Sequence, residues 1–187
     1  HVPGLKVVAP ATIDDARWML PTALEDPDPV IMFEHAGLYN VRGDVTPDGG
    51  PVDLTTARIR RSGDDVTLVT YGGSLAKSLD AAEALVADGV SVEVLDLRSL
   101  RPIDVPAIID SVARTHRLVV VDEGWKSVGL SAEIVALVAE HALWDLDAPV
   151  RRVCGIEVPV PYAKHMEEAS VPQVPGIVEA VREVMGR

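Results

Sequence analysis

The chain has 187 residues, 17 of them Lys or Arg and 29 Asp or Glu, for a formal net charge of −12 at pH 7. Hydrophobic residues at 48% and charged residues at 25% are the proportions of a globular protein, and they exclude a disordered, collagen-like or disulfide-stapled chain. No apolar run reaches the roughly 18 residues of a membrane span, and the acidity disfavours nucleic acid, whose phosphates need clustered cations.

Leu5 to Ala9 reads as a short strand. Thr12 followed by Asp15 has the Ser/Thr-x-x-acid spacing of a helix start, and Ile13, Ala16, Leu20 and Leu24 then keep to one helical face. Pro21 inside that face predicts a kink or an early break. Val30 to Phe33 is a second strand. Two strands and a helix do not stand alone, and His1-Val-Pro-Gly carries neither an initiator Met nor a leader, so the chain is expected to start partway through a larger protein. From Ala36 to Thr56 the periodicity vanishes while Gly37, Gly43, Pro47, Asp48, Gly49, Gly50 and Pro51 crowd together, as in a linker between domains.

Beyond it the pattern is regular. Strands are expected at Val66 to Thr70, Val92 to Leu97, Leu118 to Val121 and Val150 to Cys154. Between and after them, helical faces run through Leu75, Leu79 and Val86, through Val105, Ile108 and Val112, through Ile134, Leu137 and Val138, and through Ile177, Val178 and Val181. Such alternation implies an α/β fold with a mostly parallel sheet flanked by helices. Pro159 to His165 is expected to be extended and non-helical.

Ligands of such sheets gather outside the carboxyl ends of the strands. Tyr71-Gly72-Gly73-Ser74, Asp96 with Arg98, and Asp122-Glu123-Gly124-Trp125-Lys126 fall there. The first reads as a tight turn, the second as a strand-end ion pair and the third as an interface. His1, His35, His116, His141 and His165 lack metal or nucleophile spacing and are expected at surfaces or helix ends. Cys154, the only cysteine, reads as a small buried hydrophobe and points to a reducing compartment, expected to be the cytoplasm.

Longer strings carry a resemblance. His1-Val-Pro-Gly-Leu-Lys-Val-Val-Ala-Pro-Ala-Thr, Asp26-Pro-Asp-Pro-Val-Ile with Phe33-Glu34-His35 and Leu38-Tyr39, Val66-Thr-Leu-Val-Thr-Tyr-Gly, Val94-Leu-Asp-Leu-Arg-Ser-Leu-Arg-Pro-Ile-Asp, Val119-Val-Val-Asp-Glu-Gly-Trp, Val158-Pro-Val-Pro-Tyr-Ala-Lys and Val171-Pro-Gln-Val occur in order. Together they resemble the beta subunit of thiamine-diphosphate-dependent 2-oxo acid dehydrogenases. The resemblance implies that residues 1–35 are the end of a pyrimidine-binding domain, 36–56 a linker and 57–187 a transketolase-type C-terminal domain. It also implies thiamine diphosphate with Mg2+, held mainly by an alpha subunit and by a part of the beta subunit preceding His1, so no residue here is assigned to catalysis or to that cofactor. In such subunits main-chain oxygens at a helix-to-strand turn can hold K+, and the matching positions are Ala23, Leu24, Asp26 and Asp28.

The partners implied are the alpha subunit, a second beta subunit, and the subunit-binding domain of the dihydrolipoyl acyltransferase. Glu157, Glu167 and Glu168 are candidate acids for the last. Glu123-Gly-Trp and Val160-Pro-Tyr-Ala-Lys are closer to the pyruvate and acetoin branches than to the branched-chain branch. The expected function is support of pyruvate decarboxylation with acyl transfer to lipoamide. An acetoin or branched-chain enzyme, a non-catalytic interaction module and a small-ligand domain binding at Tyr71-Gly72-Gly73 are the alternatives.

Overall fold

The structure, a computed structural model, describes residues 1–47 and 49–186. Asp48, counted above among the turn residues, lies outside them, as does Arg187, the last residue of the expected C-terminal domain. The elements are β1 (Lys6–Val8), α1 (Ile13–Glu25), β2 (Val30–Met32), a 3-10 turn (Ala36–Asn40), β3 (Arg58–Arg61), β4 (Val66–Thr70), α2 (Ser74–Ala84), β5 (Val92–Asp96), β6 (Ser99–Arg101), α3 (Val105–Thr115), β7 (Leu118–Trp125), α4 (Leu130–His141), β8 (Arg151–Gly155), α5 (Lys164–Ser170) and α6 (Val174–Val184), with further 3-10 turns at Leu85–Asp88 and Leu143–Asp145.

Strands β3-β5-β4-β7-β8 form one sheet, parallel throughout except for β3, which runs antiparallel to β5. Period-two alternation sends side chains to opposite faces. Val66, Leu68, Val92, Val94, Val119 and Val121 meet α2 and α6 on one side, while Val69, Leu95, Leu118 and Val120 meet α3 and α4 on the other. Both faces are covered, which is why these strands read as continuous apolar runs. Each fully buried Val or Leu contributes about 1.5–3 kcal/mol relative to exposure.

A second sheet, β2-β1-β6, joins β1 and β2 in parallel and places β6 antiparallel to β1. The Ala9 amide donates to the Arg98 carbonyl at 2.7 Å. The segment between Ala36 and Thr56 runs back over α1: Leu54 is buried with Val8 and Met19, Trp18 Nε1 donates to the Thr46 carbonyl at 3.3 Å, and the Thr46 amide donates to Asp14 at 2.9 Å.

Several expectations need correction. Of the kink or early break expected at Pro21, the break does not occur: helix α1 continues to Glu25, with Pro21 freeing the carbonyl of Arg17, an exposed residue. Thr12 caps the helix as expected, accepting from the Asp15 amide at 3.1 Å. Lys164 and His165, expected in an extended run, open α5, so only the residues from Pro159 to Ala163 stay outside helix. Strands β3 and β6 were not legible, because Arg-Ile-Arg-Arg and Ser-Leu-Arg have neither length nor apolar alternation; their ladders come from β5 and β1.

Candidate functional site

The sheet turns over at β4 and β7. Helix α2 leaves β4 for one face and α4 leaves β7 for the other, so the carboxyl ends of these neighbouring strands flank the topological switch point, where a parallel sheet opens a crevice. Side chains close it. Tyr71 donates its hydroxyl to Asp122 Oδ1 at 2.6 Å. Asp122 is buried and also accepts the Gly124 amide at 2.8 Å and, through Oδ2, the Ser131 amide at 3.0 Å. The last contact matters for α4, whose N-cap Gly129 has no side chain to offer: the carboxylate caps the helix from a neighbouring strand and complements its dipole. Burial, then the charge of Asp122, push the Tyr71 phenol far above its ordinary range, so it stays a hydrogen-bond donor.

Beside this pair, Glu123 Oε2 lies 3.0 Å from His35 Nε2 and Glu123 Oε1 3.7 Å from Lys77 Nζ. The expectation of a plain surface role for His35 is thus refined: its ring lies against Gly73, on the turn between β4 and α2. His116 behaves as a helix-end residue, in the left-handed region at the end of α3 with Nδ1 2.8 Å from the Asp145 carbonyl oxygen. Cys154 is half-buried in β8, its Sγ 3.3 Å from Ser131 Oγ, and burial raises its thiol, which fits a packing residue rather than a nucleophile.

A buried ionic cluster fixes the region before the linker to the large sheet. Arg60 of β3 pairs with Asp15 of α1 and with Asp96 of β5, the latter at 2.8 Å. Arg98, in the left-handed region at φ 55°, donates to the Thr56 carbonyl from Nε at 3.1 Å and from Nη2 at 2.9 Å. The strand-end pair expected between Asp96 and Arg98 is realised differently. The Arg98 amide bonds Asp96, while the Arg98 guanidinium lies 3.7 Å from Asp15. Burial pushes the Asp96 carboxyl up to about 6, outweighing the opposing pull of Arg60.

Ala23, Leu24, Asp26 and Asp28 gather where α1 ends. Asp26 is extended (φ −69°, ψ 131°) and follows a last turn with no basic side chain. Lys6 Nζ lies 2.5 Å from Asp26 Oδ2 and 3.8 Å from Asp28 Oδ2, and its hydrogen bond holds the Asp26 carboxyl below its usual range. The end of an uncapped helix carries partial negative charge on its carbonyls, a donor set that suits a monovalent cation bound by main-chain oxygens. Among the described residues no group of three or more His, Cys, Asp or Glu side chains is placed to hold a metal ion.

Exposed apolar side chains follow β7 and β8. Trp125 is 56% exposed, Val128 102%, Val160 62% and Tyr162 104%, with Ile156 and Met166 also exposed. Glu157 ties the two segments together by accepting the Ser127 amide at 2.9 Å and its hydroxyl at 2.6 Å, so it is a bracing residue as well as a surface acid. Val128 sits at φ 58°, a costly conformation for a β-branched side chain. The expectation of an interface at Trp125-Lys126 agrees with this exposure, although Glu123 turns inward.

The fold and this edge define a helix-flanked α/β domain in which Tyr71 pairs with Asp122 and His35 with Glu123, while the buried hydroxyls of Thr70 and Ser74 find no hydrogen-bond partner among the described residues. The chain belongs to the transketolase C-terminal domain family, which it matches over residues 55–177. It is 43% identical over 190 residues to the mitochondrial pyruvate dehydrogenase E1 component subunit beta of Dictyostelium discoideum, covering 100% of this chain and 53% of that protein. The corresponding subunit of Rickettsia bellii (strain RML369-C) is 41% identical, covering 98% and 57%, and the mitochondrial one of Saccharomyces cerevisiae (strain ATCC 204508 / S288c) is 44% identical, covering 98% and 52%. The chain thus spans about half the length of these relatives. A solved split gene transketolase, described as an inactive beta4 tetramer, superposes with a TM-score of 0.83 at 26% identity, covering 99% of this chain and 58% of that one.

Proposed function

We propose that the chain is the C-terminal portion of the beta subunit of a thiamine-diphosphate-dependent pyruvate dehydrogenase, and that it serves decarboxylation through assembly. The observation that carries this reading is similarity above 40% along essentially the whole chain to subunits of that name. Residues 1–35 are then the end of a pyrimidine-binding domain, with 36–56 crossing to the C-terminal domain. Thiamine diphosphate would supply the electron sink for decarboxylation. In this reading the cofactor and its Mg2+ belong to the alpha subunit and to the preceding part of the beta subunit, and no step is assigned to residues of this chain.

What this chain's own residues do is hold shape. Arg60, Asp15 and Asp96 fix the end of the pyrimidine-binding domain against the large sheet, and Asp122 fixes the strand-end turn and α4. Trp125, Val128, Val160 and Tyr162 have the exposed aromatic and apolar character of subunit-contact residues. They suit the alpha subunit or a second beta subunit. The net charge of −12 favours encounter with a basic subunit-binding domain of the acyltransferase. The cytoplasm remains the compartment of this reading, although the Dictyostelium and Saccharomyces relatives are named mitochondrial.

The test is a reconstitution. A beta subunit containing this sequence, assembled with its alpha subunit, is expected to turn over pyruvate with a higher kcat/KM than 2-oxoisovalerate or acetoin, while the 187-residue chain alone turns over none. Preference for another substrate, or turnover by the chain alone, would overturn the reading.

The helix-end site is proposed to hold K+ through main-chain oxygens of Ala23, Leu24, Asp26 and Asp28. Binding restricted to the folded state stabilises by about 2.7 kcal/mol at a hundredfold excess over Kd. The thermal midpoint of the chain is therefore expected to be higher in KCl than in NaCl at equal ionic strength, and equal midpoints would remove the ion from the proposal.

A further inference from the structure

We propose that His35 is a proton-operated clasp joining the 3-10 turn after β2 to the carboxyl edge of the large sheet. The ring nitrogens have different partners. Nδ1 accepts the Gly37 amide at 3.2 Å, and Nε2 lies 3.0 Å from Glu123 Oε2. A nitrogen that accepts a backbone N–H cannot itself carry a proton, so these two contacts together assign the neutral Nε2–H tautomer. A second proton has to enter at Nδ1, where it would face the Gly37 N–H. Protonation therefore ends the hold on the turn and leaves the contact with Glu123 in place.

The charged surroundings are few. Glu123 at the end of β7 faces the ring directly, Lys77 of α2 faces Glu123 at 3.7 Å, and Asp122 is occupied by Tyr71. Glu34, the neighbour in sequence, accepts the Tyr39 hydroxyl at 2.6 Å. From the start of α2 the ring meets Gly73, where an added Cβ would lie 2.5 Å from His35 Cδ2 and 2.6 Å from Nε2. Gly73 has an ordinary right-handed backbone (φ −63°, ψ −23°), so an alanine is conformationally acceptable there, and the atoms nearest its Cβ would be those of the imidazole. The small residue is thus needed as a seat for the ring.

The turn that the clasp holds carries Leu38 and Tyr39, which wall a cavity of about 210 Å³ together with Pro10, Ile13 and Val41. Main-chain bonds from the Leu38 amide to the His35 carbonyl at 2.9 Å and from the Val41 amide to the Leu38 carbonyl at 3.0 Å do not depend on the ring. Release is consequently local: it frees the first residues of the turn, and with them the rim of that cavity.

Nuclear magnetic resonance on the full 187-residue chain tests this. Long-range proton–nitrogen correlations in the imidazoles read the tautomer, and amide exchange reads Gly37. The expected result is a neutral Nε2–H ring and a protection factor at Gly37 that falls at least tenfold as His35 takes its second proton, with the same midpoint. Gly73→Ala is expected to abolish that protection at every pH by evicting the ring. His35→Asn, whose side-chain oxygen can still accept the Gly37 amide but does not titrate, is expected to keep protection and lose the pH step. An Nδ1–H ring, or protection at Gly37 that ignores the titration in wild type, would overturn the proposal even if Gly73→Ala folded poorly.

Discussion

Replacing Arg60 by Ala is expected to lower the unfolding free energy by about 3–5 kcal/mol at neutral pH, the loss typical when one partner of a buried pair is removed. The Arg60 side chain is 13% exposed and stands between the carboxylates of Asp15 and Asp96, which are 2% and 0% exposed. Without it, Asp15 keeps only the more distant Arg98 guanidinium as a cationic neighbour and Asp96 loses its guanidinium partner in a site that water hardly reaches, which favours the protonated form of Asp96. The pH dependence follows from the Asp96 carboxyl, which burial raises from an ordinary 3.8 to about 6. A raised acid binds more protons folded than unfolded, so its stabilising contribution is complete below 3.8 and is lost as the pH rises through about 6. Arg60→Ala, which removes an opposing pull, is expected to be most damaging at pH 8 and least at pH 5, as urea denaturation at the two values would show. Adding Asp96→Asn is expected to recover much of the loss at pH 8. A penalty independent of pH would contradict this account of the cluster.

Asp122→Ala is expected to cost about 3 kcal/mol and to loosen α4 specifically. The carboxylate accepts from Tyr71, Gly124 and Ser131. Hydrogen bonds to a charged group contribute about 1.5–3 kcal/mol each, non-additively, and the two amides would lose their acceptor. Asp122→Asn should be nearly as harmful, because the new NH2 group faces a donor on whichever side it is placed. Tyr71→Phe, which leaves both amides satisfied, is expected to cost only about 1 kcal/mol. Hydrogen exchange along α4 distinguishes the cases: faster exchange at Ser131 and the following turn in the Ala and Asn variants, little change in Tyr71→Phe. Uniform destabilisation with no focus on α4 would argue against the remote cap.

The large sheet was legible because burial on both faces demands apolar runs, and Val66 to Thr70, Val92 to Leu97 and Leu118 to Val121 supply them. What escaped notice lacks that demand. β3 is Arg-Ile-Arg-Arg, an edge strand with exposed residues whose pairing depends on a bulged register against β5. The persistence of α1 through Pro21 depends on which carbonyl is freed and where it faces, which spacing does not reveal. Among the site residues, Tyr71, Asp122 and Glu123 stood out singly, but their convergence requires the crossovers of α2 and α4 to opposite faces. His35 gave no signal of its long-range role: apart from the nearby Gly37 amide, its neighbours Gly73 and Glu123 are 38 and 88 positions away, and only the path out of β2 brings them together. Ala23, Leu24, Asp26 and Asp28 are a proposal carried by resemblance alone, and the structure adds an ammonium from Lys6 close to the two carboxylates.

The antiparallel ladder between β1 and β6 carries a consequence for modularity. Residues 55–177 are what the chain shares with its whole family, and β6 lies inside that stretch while its partner β1 lies outside it. The inherited unit and the self-supporting unit therefore have different limits. Exchanging the family segment between relatives at its own boundary would strip one strand of its ladder and leave Arg98 without the amide of Ala9, so a graft that keeps this architecture intact must carry residues 6–9 along with it.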